Sequence, residues 1–259
     1  MANIRLAGGI AVATGAASGI GKETALAFAG VELPGSFRAV SVQADVTDEA
    51  SVAQIVETAV KEFGRVDYCL HAAGATRTEH LDIEVFDKTI ATNARGTMLV
   101  LRAVSAAMAQ QEPRTHQSHR HSTSTRSLGR GSIVVISSIN GTIAAPGTAY
   151  SASKYAAIGI AKTAAVDNVD NHIRVNTICP SWTDTEMMQA SLKRYSPLAK
   201  MIEALSPLKR AALPDEVADS AVFLCSPAAS YINGTSLVVD AGLTLPALRN
   251  NILSSGYWP

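Results

Sequence analysis

Thr14-Gly15-Ala16-Ala17-Ser18-Gly19-Ile20-Gly21 sets how the rest of this chain is read. An apolar run, Ile10–Thr14, leads into it, and a helical stretch, Lys22–Ala29, leads out. Three glycines alone say little, since any tight turn uses Gly for steric reasons. A strand-to-helix turn of small residues says more. It lets backbone amides approach a diphosphate, and the helix that follows offers free N–H donors and a favourable dipole. The spacing, Gly-x-x-x-Gly-x-Gly, differs from the usual dinucleotide fingerprint, but the strand–turn–helix context points to nucleotide binding.

Outward from this turn, short β-rich runs alternate with helical stretches. Ala39–Val46, Val66–His71, Ser132–Ser137, Ile173–Ile178 and Ser236–Val239 read as strands. Ala50–Phe63, the Ala-rich stretch from Phe86 to Gln110, Tyr150–Asn168 and Pro214–Cys225 read as helices, the last with Pro in its first turn. Alternating strand and helix predicts a three-layer, doubly wound, mostly parallel sheet with helices on both faces. No internal repeat or linker interrupts residues 1–259, which read as a single α/β domain.

Composition narrows the function classes. Hydrophobic residues make up 47% and charged residues 17% of the 259, which supplies a core and excludes disorder. Lys+Arg and Asp+Glu both total 22, so no basic field draws nucleic acid or an anionic membrane. No apolar run reaches the length of a membrane span, and Met1 to Gly9 is too short and polar for a signal peptide. Cys69, Cys179 and Cys225 lie far apart in apolar stretches, as reduced core thiols do. The expectation is a cytoplasmic protein.

With the Thr14–Gly21 turn, several further motifs in order resemble the short-chain dehydrogenase/reductase family, from about Leu6 to Leu245. Asp45-Val46 resembles its adenine contact, and Asn93-Ala94-Arg95-Gly96 its helix asparagine. Tyr150-Ser151-Ala152-Ser153-Lys154 is similar to its YxxxK. Ile173 through Pro180, then Thr183 and Thr185, resemble its nicotinamide-lining segment. Tyr231-Ile232-Asn233-Gly234 and Val239-Asp240-Ala241-Gly242 match its C-terminal signature. The resemblance implies a Rossmann-type fold and NAD or NADP as cofactor. The cofactor would be held by Gly15, Ser18, Gly19, Ile20, Gly21, Asp45, Val46, Ala73, Gly74, Asn93, Tyr150, Lys154, Pro180, Thr183 and Thr185. It also implies no metal, and a homodimer or homotetramer formed through the Ala-rich helix and the Tyr150 helix.

Tyr150 and Lys154 are four apart on a predicted helix and share a face. A free tyrosine ionises near pH 10, and a neighbouring ammonium is expected to lower that value. By the resemblance, Tyr150 exchanges the proton with the substrate oxygen and Lys154 holds the nicotinamide ribose. Ser138 orients the substrate, and Asn93 positions a water behind Lys154. Ser138 fits the family's SSxxG pattern in Ser138-Ile139-Asn140-Gly141. Its interval to Tyr150 is one residue short, an interval that Ser137 would satisfy. A shortened loop over Thr142–Thr148 is easier to absorb than a reversed strand facing, which favours Ser138.

The chain departs from the family in four places. The family's NNAG is here His71-Ala72-Ala73-Gly74, with His71 either a core histidine or an altered cofactor contact. Pro180-Ser181 replaces Pro-Gly. The connection Gly30–Arg38 stands where the family has a second strand and following helix, roughly 20 to 25 residues. Glu32 is its only acidic candidate for reading the adenosine ribose. Either Ala39–Val46 moves in beside the first strand or the sheet carries a gap; unpaired backbone in a gap argues for the shift. In both cases cofactor affinity is expected to be weakened. The fourth departure is Pro113–Arg130, a Ser/His/Arg-rich stretch that reads as a mobile polar loop on the edge away from ligands. Its His116, His119 and His121 lack the partners of a metal site.

Thr183–Leu213 reads as a substrate lid. Met187, Met188, Leu192, Leu198, Met201, Ile202 and Leu205 recur at helical spacing and are expected to pack it down, with Met suiting an apolar ketone or alcohol. Lys193, Arg194, Lys209 and Arg210 read as a solvated face. Three functions remain open: a carbonyl–alcohol oxidoreductase of small-molecule metabolism, secondary metabolism included; a non-redox isomerase or cyclase on the same fold; and a silent binding protein. The Tyr–Lys pair favours the first, and the missing strand the others.

Overall fold

A computed structural model of the chain describes residues 6, 8–30, 37–76, 81–117 and 124–245. The chain runs through β1 (Ala11–Thr14), α1 (Gly19–Gly30), α2 (Glu49–Phe63), β2 (Tyr68–His71) and α3 (Ile83–Ile90). A π turn, Ala91–Arg95, joins α3 to α4 (Gly96–Ala109), followed by β3 (Arg114–Gln117), β4 (Thr125–Gly129) and β5 (Gly131–Ile136). Then come α5 (Thr148–Asp167), β6 (Ile173–Pro180), α6 (Glu186–Arg194), α7 (Leu198–Leu205), α8 (Pro214–Cys225) and β7 (Ser236–Val239).

Five strands pair in parallel in the order β1-β2-β5-β6-β7. Every residue of β5 is buried, as expected for a strand covered on both faces. Alternate side chains feed two cores. Val12, Cys69, Ile133, Val135 and Val175 pack with α2, α4 and α5. Leu70, Val134, Ile136 and Ile178 pack under α1 and α8. The result is the three-layer α/β architecture expected from the strand–helix alternation. Helix ends follow local chemistry: Asp48 caps α2 through Ser51 N at 2.9 Å, and Gly64 ends it in the left-handed region at φ 84°.

The edge beside β1 corrects one expectation. Ala39–Val46 forms no strand, and among the described residues nothing pairs with the outer edge of β1. Both ends of the stretch are tied to α2 instead. Arg38 pairs with Glu62 and lies over the Phe63 ring, while Asp45 N donates to Ser51 Oγ at 2.9 Å. Residues 39–45 are exposed except half-buried Val42, so water satisfies the backbone groups that a buried gap would have left unpaired. That solvation removes the argument for a shift. Glu32 lies outside the described residues.

Pro113–Arg130 corrects a second. Its described part is a hairpin, β3 paired antiparallel with β4 across 114–117 and 125–129, rather than a loop. Polar composition suggested a loop, but each strand satisfies the other's backbone, and arginines anchor the pair. Arg114 Nη1 donates to Gly8 O at 2.9 Å, and Arg126 Nη2 to Pro227 O at 2.7 Å. The hairpin meets the strands' N-terminal ends, the edge anticipated for it. His119 and His121 lie outside the described residues; His116 is in β3.

In the lid, α6 and α7 flank a cavity of about 400 Å³ lined in part by Met188, Leu192, Ile202 and Leu213. Ile202 is buried, but Met187, Met201 and Leu205 are exposed, so the apolar stripe packs down less than its spacing suggested. Lys193, Arg194, Lys209 and Arg210 are exposed, as a solvated face requires, and Arg210 grips the equally exposed Glu216 with two bonds, of 2.7 and 2.8 Å. No helix among the described residues is long and apolar enough to cross a membrane.

Candidate active site

The C-terminal ends of β1, β2, β5 and β6 carry Thr14, His71, Ile136 and Pro180, and the functional candidates gather in the loops just beyond. The glycine turn fits its backbone too tightly for side chains. A Cβ on Gly15, at φ +67°, would stand 2.7 Å from Ala73 N, and one on Gly21 would stand 2.3 Å from Gly15 O. Gly19 backs onto the methyl of Thr185, where a Cβ would come within 2.9 Å. Thr185 in turn caps α6 by accepting from Met188 N at 3.3 Å. The turn thus meets both the Ala73–Gly74 loop and the start of the lid. Ser18 stays exposed, and Ile20 packs on the second core.

Asn93 sits in the π turn, a local widening often found at functional sites. Its amide is fully engaged: Nδ2 donates to Ala75 O at 2.8 Å and to Ser153 Oγ at 2.9 Å, while Oδ1 accepts from Ala75 N at 2.8 Å. Gly74 lies between Asn93 and Lys154, where a Cβ would be 3.3 Å from Asn93 Oδ1 and 3.6 Å from Lys154 Nζ. Lys154 is buried, donates to Ile136 O at 3.0 Å, and holds its Nζ 5.5 Å from the centre of the Tyr150 ring. Burial brings its pKa down to about 8.

The two serines part company. Ser137 Oγ donates to Lys154 O at 2.9 Å, a bond that fastens β5 to α5. Ser138 instead stands near enough to the Tyr150 side chain to act on its pKa, and accepts from Asn140 N at 3.2 Å. Burial raises the Tyr150 pKa above its ordinary value, and the neighbouring Ser138 hydroxyl opposes this without overcoming it. The sequence expectation that Lys154 lowers the phenol's pKa is therefore not met here, because desolvation dominates and the ammonium bonds a carbonyl.

Other candidates lie around this centre. Pro180 and Thr183 are buried where β6 meets the lid, with Thr183 bridged to Ala212. Asp45 is exposed, its carboxylate accepting from Thr47 N and Thr47 Oγ1, each at 2.8 Å, which lowers its pKa. Val46 packs on Gly96, where a Cβ would approach Val46 Cγ2 to 3.0 Å. Sequence reasoning missed Thr14, Thr97, Ser153 and the Ile136 carbonyl. Only Thr97, one helical turn after Asn93, carried a signal in its spacing.

Comparison with known proteins places the chain in a family. Residues 31–244 match the family model described as enoyl-(acyl carrier protein) reductase. The chain is 40% identical to "Short-chain dehydrogenase fogB" of Aspergillus ruber, over 93% of this chain and 98% of that one. Among solved structures it is similar to 7α-hydroxysteroid dehydrogenase complexed with NADH and 7-oxo glycochenodeoxycholic acid. That match has a TM-score of 0.79 and 25% identity, covering 93% of this chain and 96% of that one. It is also similar to ElxO with NADP bound, with a TM-score of 0.77 and 27% identity over 91% and 98% of the two chains. The chain belongs to the short-chain dehydrogenase/reductase family of oxidoreductases.

Proposed function

We propose that the chain is an NAD(P)-dependent oxidoreductase that interconverts a carbonyl and a secondary alcohol on a largely apolar small molecule, with Tyr150 as proton donor and acceptor. The observation that carries this reading is the meeting of Ser138, Tyr150, Lys154 and Asn93 beside a glycine turn with no room for a Cβ.

The residues present fit most of a nicotinamide dinucleotide. The cradle of Gly15, Ser18, Gly19, Ile20 and Gly21 at the start of α1 suits the diphosphate. Ala73, Gly74, Asn93, Tyr150, Lys154, Pro180, Thr183 and Thr185 would surround the nicotinamide riboside, and Asp45 and Val46 the adenine. The adenosine ribose is the exception, since no described strand stands beside β1 to present a reader for it. Affinity is accordingly weak for the family, and NAD and NADP stay equal candidates. When bound, the cofactor supplies or accepts the hydride.

The chain's own residues handle the proton. Tyr150, with its pKa raised, stays protonated at neutral pH and gives its phenolic proton to the oxygen of a carbonyl being reduced. Ser138, beside Tyr150, would hold that oxygen in reach. Lys154, a cation below about pH 8, would hold the nicotinamide ribose. The lid carries apolar Met188, Leu192 and Ile202, in a cavity that also exposes Asp184, Gln189 and Arg210 and is lined by none of Ser138, Tyr150 or Lys154. No nucleic acid or membrane partner is proposed. Three free, buried cysteines suit a cytoplasmic setting, and α4 and α5 are the surfaces for a homodimer or homotetramer.

That no described strand pairs with the outer edge of β1 keeps a second reading in view, a non-redox or silent protein on the same fold. Fluorescence titration with NADH and NADPH separates the two. Saturable binding, with turnover of an apolar ketone lost in Tyr150→Phe, supports the oxidoreductase; unchanged turnover in that variant overturns it.

A further inference from the structure

His71 ends β2 between two walls of the site and bonds to both. Its Nδ1 lies 2.8 Å from Oγ1 of Thr14, the residue immediately before the glycine turn. Its Nε2 lies 3.1 Å from Oγ1 of Thr97 in the first turn of α4. The Thr97 hydroxyl is in turn 2.6 Å from Asn93 O, to which it donates.

Counting protons orients this chain of bonds. Thr97 has one hydroxyl proton, and the bond to Asn93 O uses it. Toward His71 the Thr97 oxygen is therefore an acceptor, and Nε2 carries the ring proton. The ring is 1% exposed, and burial, then the Lys154 charge, takes its pKa down to about 3, so it is neutral with a bare Nδ1. Nδ1 then accepts from the Thr14 hydroxyl, whose oxygen accepts from Ala73 N at 3.3 Å. One directed series of hydrogen bonds runs from the Ala73 amide through Thr14, His71 and Thr97 to the Asn93 carbonyl.

We propose that His71, as the neutral Nε2–H tautomer, is a positioning residue that fixes the Asn93 turn against the glycine turn. The diphosphate cradle and the Asn93–Lys154 floor are thereby held as one unit. Its consequence for a nucleotide rests on the oxidoreductase reading; the coupling of the two turns does not.

Two substitutions divide the ring's contacts. The terminal atoms of asparagine fall near the place of Nδ1 and reach Thr14 but not Thr97. Those of glutamine extend to the place of Nε2 and can still donate to Thr97. In the intact wild-type chain, nitrogen-detected NMR of the His71 ring should show the Nε2–H tautomer without titration between about pH 5 and 9. Fluorescence titration with NADH and NADPH should give a Kd roughly 5- to 10-fold higher in His71→Asn, the loss of about one buried hydrogen bond. His71→Gln should recover at least half of that loss. An Nδ1–H tautomer overturns the proposal. So does an unchanged Kd in His71→Asn alongside a lower urea midpoint, which is the signature of a residue that only holds the core. If the wild-type chain binds neither nucleotide, the oxidoreductase reading fails on its own. The Asn93 side-chain amide signal then decides: displaced in His71→Asn it supports the coupling, unmoved it overturns it.

Discussion

Lys154→Met should make the protein more stable at neutral pH while removing its activity. Lys154 is a buried cation whose pKa falls from 10.5 to about 8. That fall corresponds to roughly 3 kcal/mol of folding free energy withheld at pH 7. Methionine keeps most of the stem's packing but leaves Ile136 O without the Nζ donor, at a cost of about 1–2 kcal/mol. The net expectation is a gain of about 1–2 kcal/mol, read from urea unfolding at pH 7. The sign with pH is a sharper test. Between about pH 8 and 10 the unfolded wild-type lysine keeps its proton while the folded one loses it, so wild-type stability rises by about 1.4 kcal/mol per pH unit from this group. The buried thiols and tyrosines, whose raised pKa values act in the opposite direction, are common to both proteins and cancel in the difference, except Cys179, whose thiol moves further up once the Lys154 charge is gone. The variant's advantage should therefore shrink and reverse by pH 10. A variant less stable than wild type at pH 7, with a difference that ignores pH, would refute this account.

Three further outcomes follow from the geometry. Gly21→Ala places a methyl 2.3 Å from Gly15 O, so NADH and NADPH fluorescence titrations should show binding reduced beyond detection while circular dichroism still reports a folded chain. Ser138→Ala should lower turnover by about 100-fold or more. Ser137→Ala should spare turnover and cost about 1 kcal/mol in urea, because its hydroxyl serves only the Lys154 carbonyl. His71, with a folded pKa of about 3 against 6.5, binds its proton later than the unfolded chain does. Its contribution is full above about pH 6.5 and is lost at about 1.4 kcal/mol per pH unit as pH falls toward 3. Acid unfolding of wild type and His71→Gln should differ in slope across that window, and equal slopes would contradict the buried neutral ring.

Local chemistry made much of this molecule legible in advance. β7 and α8 lie where their periodicity and Pro214 put them. Ser138 faces Tyr150 because strand alternation turns Ser137 toward α5. What stayed hidden depended on competition between distant parts. The sequence of Ala39–Val46 suits a strand, yet bonds to both ends of α2 hold it in water. The polar composition of Pro113–Arg130 conceals a hairpin because its anchors, Gly8 O and Pro227 O, are backbone atoms with no sequence signature. Tyr150 was expected to be acidified by a residue four positions on, but desolvation depends on everything packed around it.

The pairing of β1 on one side alone among the described strands also bears on the order in which the molecule assembles. Among the described strands β1 has a single ladder, and it joins residues 57 positions apart, Ala11 to Tyr68 through Thr14 to His71. Strands β5 and β6 pair across 42 positions, Gly131 to Ile173, over a six-residue ladder bridged by α5. Loop closure costs grow slowly with length, but the second pair closes the shorter loop, has the longer ladder and carries the 20-residue α5 to offset them. Folding should nucleate at β5–α5–β6, with β1 docking late. The glycine turn rides on β1, so the nucleotide cradle is among the last parts of the chain to take shape.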